Sequence, residues 1–159
     1  MNMPSNMRAR FSQLRQRGVA TVEFAICIPV LLLLMLATAE IGRMLFQYNT
    51  LAKAVRDGAR FAATNAAVGT TRIVNIIPTV YSGTRNLVVT GNTAGTGAAL
   101  LPGLTVNDVT VNDAGNGFVR VAATYNYVPM VGATLPKFGL GDPLDLTVTL
   151  PATVVMRAL

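Results

Sequence analysis

The 159-residue sequence contains no histidine, a single cysteine, and only one serine, Ser82, beyond residue 39. Without histidine there is no His/Cys metal site and no Ser-His-Asp triad. One cysteine cannot form an intrachain disulfide. Cys27 also lies within an apolar run, where a thiol is not activated. Charge is scarce too, at 13% of residues. The formal net charge of +6 is unevenly spread. Arg8, Arg10, Arg15 and Arg17 precede the apolar run, and from Val19 onward nine Lys/Arg face seven Asp/Glu. No basic patch is interleaved with aromatics, which excludes a nucleic-acid partner. Beyond Glu23 the carboxylates are Glu40, Asp57, Asp108, Asp113, Asp142 and Asp145. Most of these sit beside Gly, Asn or Pro, where aspartate serves turns. The glycines of GNTAGTG, residues 91–97, lack a phosphate loop's lysine and predict a flexible loop. The expectation is a protein that is not an enzyme and needs neither cofactor nor metal.

What the chain does have is a long apolar segment near its start. From Phe24 to Ala39 there is no charge, and Thr38 is the only polar residue. With Val19 to Val22 the segment reaches the roughly 17–25 residues that cross a bilayer. Glu23 interrupts it near one end. A carboxylate at the centre of such a helix costs about 2.5–3.5 kcal/mol, and less towards an end. Two readings follow from position and cost: Glu23 has a function in the membrane, or it merely reaches the interface.

A second pattern begins without a break. Ala37, Ile41, Met44, Tyr48, Leu51, Val55, Ala59 and Ala62 recur at steps of three and four, while Arg43, Asn49, Lys53, Asp57 and Arg60 fall on the other side. This predicts an amphipathic helix. No stop signal separates it from the apolar run; Gly42 is a weak point, and Pro29 removes one backbone donor. One helix from Val19 to about Thr64 would be roughly 70 Å long at ~1.5 Å per residue.

After Asn65 the composition turns to Gly, Thr, Asn and Val. A short helix is a candidate over 72–81, weakened by Pro78, and a short strand over 87–90. Residues 105–111 and 118–128 flank the turn signal NDAGNG and predict a hairpin. Val119, Val121, Ala123, Tyr125 and Tyr127 alternate with polar residues in its second strand. Leu144, Leu146, Val148 and Leu150 alternate in another, and Pro151 suggests an edge or a bulge. A Gly/Pro-rich loop, residues 129–143, joins the two. The predicted fold class is α+β. A transmembrane helix (19–41) continues as an amphipathic helix (42–65), whose Met44, Tyr48, Leu51, Val55 and Ala59 pack on a small antiparallel sheet within residues 66–159.

The start of the chain resembles the processing site of type IV prepilins: a basic leader ending in Gly18, then Val19-Ala20-Thr21-Val22, then Glu23-Phe24 and a long apolar helix. Glu23-Phe24, the helix continuing into Asp57-Gly58-Ala59-Arg60, and the later NLVVTGN and LLPGLTVNDVTV are similar to the TadE-like pseudopilins of the tight-adherence pilus. The match departs at Val19, where many type IV pilins have phenylalanine. The resemblance implies that residues 1–18 are a cytoplasmic leader, removed by a prepilin peptidase that cuts between Gly18 and Val19. It implies assembly roles for Glu23 and Phe24. Its implied partners are other pilins and the assembly platform in a bacterial inner membrane, with the β-rich domain periplasmic. A new amine on Val19 and a Glu23 carboxylate on a neighbouring subunit can satisfy each other in lipid.

Two other readings compete. The arginines, the apolar core and Ala37-Thr38-Ala39 look like a signal peptide cut after Ala39, which would release a soluble protein. Alternatively the leader is never removed and the chain is a membrane-tethered binding domain. Charge does not orient the span: four arginines precede it, and Arg43, Lys53, Arg56 and Arg60 follow it. The crowding of the first four favours the leader on the cytoplasmic side.

Overall fold

The computed structural model describes residues 5–67, 73–130, 132, 134–135, 141–142 and 144–159, with the side chains of 5–18, 135 and 144 excepted. One helix dominates. Helix α1 runs unbroken over Ser5–Asn65, with Pro29 inside it. It starts upstream of the expected Val19 and passes through Gly18.

The second helix corrects two expectations. Helix α2 spans Pro78–Thr90, with Pro78 in its first turn. A proline there removes only a donor that has no intrahelical partner anyway, so it starts this helix and does not weaken it. Residues 87–90, expected as a strand, are the last turn of α2. The helix stops at Gly91, whose left-handed backbone (φ 78°) places its N–H 2.9 Å from the Leu87 carbonyl. Arg72 lies outside the described residues.

Strands β1 (Val109–Gly115) and β2 (Phe118–Asn126) form the expected hairpin. Asn116 (φ 56°) and Gly117 (φ 80°) turn it, both at positive φ as a tight two-residue hairpin loop requires. The first strand begins later than expected. Residues 106–108 form a single 3-10 turn, and the Asp108 carboxylate accepts from the Thr105 N–H (2.8 Å) and hydroxyl (2.7 Å). The alternation over 144–150 is not one strand either. Leu144–Asp145 (β4) pairs with Thr134–Leu135 (β3) as a separate two-stranded arm. Asp145 then accepts from the Thr147 N–H and hydroxyl, which bends the chain. Strand β5 covers Thr149–Arg157 and pairs antiparallel with β2. The sheet order is β1-β2-β5, so Pro151 lies on an edge strand, where a missing donor is tolerated. Of the expected loop over 129–143, residues 131, 133, 136–140 and 143 lie outside the described ones.

Both helices cover one face of this sheet. α1 packs on β2, β5 and α2, and α2 also meets β1. The core joins Leu51, Val55, Ala59 and Ala62 of α1 to Val80 and Val88 of α2 and to Val109, Val111, Val119, Val121, Ala123 and Tyr125 of the sheet. The helices approach closely at Gly58, where a Cβ would stand 2.5 Å from Val88 Cγ2. Leu51, Val55, Ala59 and Ala62 are buried as expected, but nearer its start the stripe on α1 departs from the expected one. Tyr48 is 42% exposed and Ile41 is exposed, so neither belongs to the core; Glu40 and Gln47, one position earlier in each case, are buried. The loop over 91–97 is closed rather than loose. The Asn92 amide donates to the Thr96 carbonyl (2.6 Å), Thr96 N–H donates back to Asn92 Oδ1 (3.1 Å), and Asn86 Nδ2 donates to the Thr93 carbonyl (3.1 Å).

Candidate functional site

Two places on α1 carry chemistry. The first is its apolar half. Gly18 lies inside the helix, and Val19 and Phe24 are 65% and 63% exposed. Glu23 is exposed as well. Residues 19 and 23 are one helical turn apart and so share a face. Among the described residues, no hydrogen bond or ion pair engages Glu23. Thr38, the polar residue further along, satisfies its own hydroxyl by donating to the Leu34 carbonyl at 2.8 Å. None of the most apolar part of this segment is buried in the chain. The helix is long and apolar enough to cross a membrane.

The second place is the joint between this half and the folded domain. Glu40 is only 2% exposed. Its Oε1 accepts from the Tyr127 hydroxyl (2.7 Å) and from the Met130 N–H (2.8 Å), while its buried Oε2 has no partner. A carboxylate thus ties the end of β2 to the helix across 87 residues of sequence. Burial pushes the Tyr127 phenol up to about 12, aided by its bond to Glu40 and by that carboxylate's charge; Arg43 opposes the shift. Tyr125 is raised too, again by burial, with Arg43 acting the other way. Its hydroxyl donates to the Pro102 carbonyl at 3.0 Å. Gln47, one heptad beyond Glu40, is buried with Oε1 unpartnered.

Of the residues expected to join helix and sheet, Leu51, Val55 and Ala59 lie in the core and Met44 packs against it; Tyr48 does not. Gly18, Val19, Glu23 and Phe24 lie on the other half of the helix, away from this packing. The Glu40 knot is absent from the sequence reading. Its signal was present as a glutamate and a glutamine seven residues apart, on the seam of a helix otherwise lined by Leu, Val and Ala. Among the described residues, no three His, Cys, Asp or Glu side chains come together as metal ligands would.

These features define one apolar helix, long enough for a membrane anchor, that runs on into a small α+β domain. Residues 18–60 match the model of the family described as TadE-like protein. The matched segment runs from the glycine before Val19 to Arg60. No curated protein and no solved structure matches the chain.

Proposed function

We propose that the protein is a minor pilin or pseudopilin: a structural, non-catalytic subunit of a tight-adherence pilus, made with a leader that a prepilin peptidase removes between Gly18 and Val19. The carrying observation is Glu23. It stands exposed on an apolar helix, in a family match that opens at Gly18, and shares a face with Val19. Cleavage gives Val19 a charged amine. In lipid an unpaired carboxylate and an unpaired amine are both costly, so they favour an arrangement in which one subunit's amine meets the next subunit's Glu23. Glu23 then sets the register of subunits, with Phe24 beside it in the helix contact. The partners are the peptidase, other pilins and the assembly platform in the inner membrane, with the leader cytoplasmic and the domain periplasmic.

N-terminal sequencing of the protein from membranes tests the processing step. A chain starting at Val19 supports the proposal. A chain starting at Glu40 overturns it in favour of a signal peptide, and an uncut chain favours a tethered domain. The continuity of α1 through Ala39 and the burial of Glu40 support the pilin reading. The assembly step is tested by Glu23→Gln, which keeps the size and removes the charge. Insertion and domain stability should be unchanged, while pilus number falls. Wild-type pilus numbers from a cut and inserted Glu23→Gln protein would leave Glu23 as an interfacial residue only.

A further inference from the structure

The end of the domain nearest the apolar half of α1 bears side chains that stand exposed among the described residues. Ile41, Leu45 and Phe46 stand out from the helix, and Val128 and Met130 stand out from the segment after β2, at 46% and 65% exposure. The height of that segment is fixed. Glu40 Oε1 holds the Met130 N–H at 2.8 Å and the Tyr127 hydroxyl at 2.7 Å. Side chains on a helix lean towards its N-terminus, so Glu40 reaches towards the apolar half and not away from it. Residues 19–39 make a helix about 30 Å long at ~1.5 Å per residue, the thickness of the hydrocarbon core. When that stretch is centred in a bilayer, Glu40 lies at its edge, and Met130 lies there with it.

We propose that the segment from Val128 to Met130 is a second membrane contact: a shallow apolar foot that enters the boundary between headgroups and acyl chains beside α1. The partner is the lipid surface itself. Height decides for lipid, because the two bonds to Glu40 hold the foot at the end of the span, where Ile41 is exposed as well. Charge agrees. The carboxylate at this level, Glu40, is buried and bonded inward, and the half-exposed Arg43 follows it one turn on. Two attachments, a helix and a foot, fix the tilt of the domain on the membrane, which a single helix leaves free to swivel. The inference rests on α1 spanning the bilayer.

Full-length protein in phosphatidylcholine–phosphatidylglycerol vesicles tests it, with an environment-sensitive fluorophore at one of three positions. The native Cys27 reports the span. Met130→Cys in a Cys27→Ser background reports the foot. Thr153→Cys in the same background reports the outward face of the sheet. Lipids carrying a spin label high on the acyl chain quench fluorophores that enter the bilayer. The expected result is strong quenching at positions 27 and 130, several-fold above that at 153. Quenching at 27 with none at 130 overturns the foot and leaves the span standing. A blue-shifted but unquenched label at 130 means that protein covers it, and also overturns the foot. No quenching at 27 overturns the span, and the foot falls with it.

Discussion

The two halves of α1 are built from similar apolar residues and use them in opposite ways. From residue 19 to 39 most of the large side chains are exposed, and none of the most apolar stretch is fully buried. From residue 40 to 66 one face is buried against sheet and α2, and the other carries Lys53, Arg56, Asp57 and Arg60 into water. In lipid, burying a leucine gains no hydrophobic energy, because the surroundings are as apolar as the side chain. In water the same burial is worth about 1.5–3 kcal/mol. Composition alone therefore does not separate the halves; the periodicity of polar residues does. Glu23 and Glu40 repeat the contrast. The first is exposed, with no side-chain bond engaging it among the described residues, and the second is buried with two.

The contrast can be broken or sharpened experimentally. The largest effect is expected at Leu51. Leu51→Ala should lower domain stability by about 2–5 kcal/mol, as loss of a fully buried leucine does. Leu34→Ala, the same change in the apolar half, should leave the domain's thermal midpoint unmoved in the same detergent or vesicle. Equal losses would erase the distinction between the halves.

An intermediate effect is expected at the joint. Tyr127→Phe removes one of the two donors to a buried carboxylate and should cost about 1–3 kcal/mol. It should also change the alkaline limb of stability. The folded value of Tyr127, about 12, lies above the ordinary 10.0. Its contribution is therefore complete below pH 10 and is lost as pH rises through about 12. Denaturant midpoints between pH 9 and pH 12, compared for the wild type and Tyr127→Phe, should converge as pH rises. Parallel curves would mean that the phenol is not held by the fold. The smallest effect is expected at Tyr48: Tyr48→Ala should stay within about 0.5 kcal/mol, as exposed positions do. A loss like that of Leu51→Ala would return Tyr48 to the packed face.

Much of this architecture is legible in the residues. The apolar run, the continuous helix, the hairpin around Asn116-Gly117 and the inward set Val119, Val121, Ala123, Tyr125 are local patterns, and local patterns survive folding. The errors have physical causes. Pro78 reads as a helix breaker, yet at the first turn it has no bond to break. Leu87 to Thr90 reads as a strand, because Val-Val-Thr is β-branched; packing of Val88 against Gly58 keeps it helical. Only the start of the seam on α1 was misplaced, at Ile41 and Tyr48 in place of Glu40 and Gln47, because a glutamate and a glutamine do not look like core. What buries Glu40 is a tyrosine hydroxyl and a backbone N–H about ninety residues downstream, and no window along the sequence contains both partners. The apolar run with Glu23 near its start and the family match over residues 18–60, by contrast, need no tertiary information.

Strand β5 has a consequence for how the molecule comes into being. It pairs along the whole length of β2, packs against α1, and is followed by a bond from the Leu159 N–H to the Ala63 carbonyl. Translation produces the helix early and this strand late. Until residues 149–157 arrive, one side of the sheet that shelters Leu51 and Val55 is missing. The apolar face of α1 thus waits for a strand that follows it by more than eighty residues. Contacts this remote along the chain also close slowly. If the apolar half of α1 enters a bilayer first, it tethers the domain-forming half during that interval.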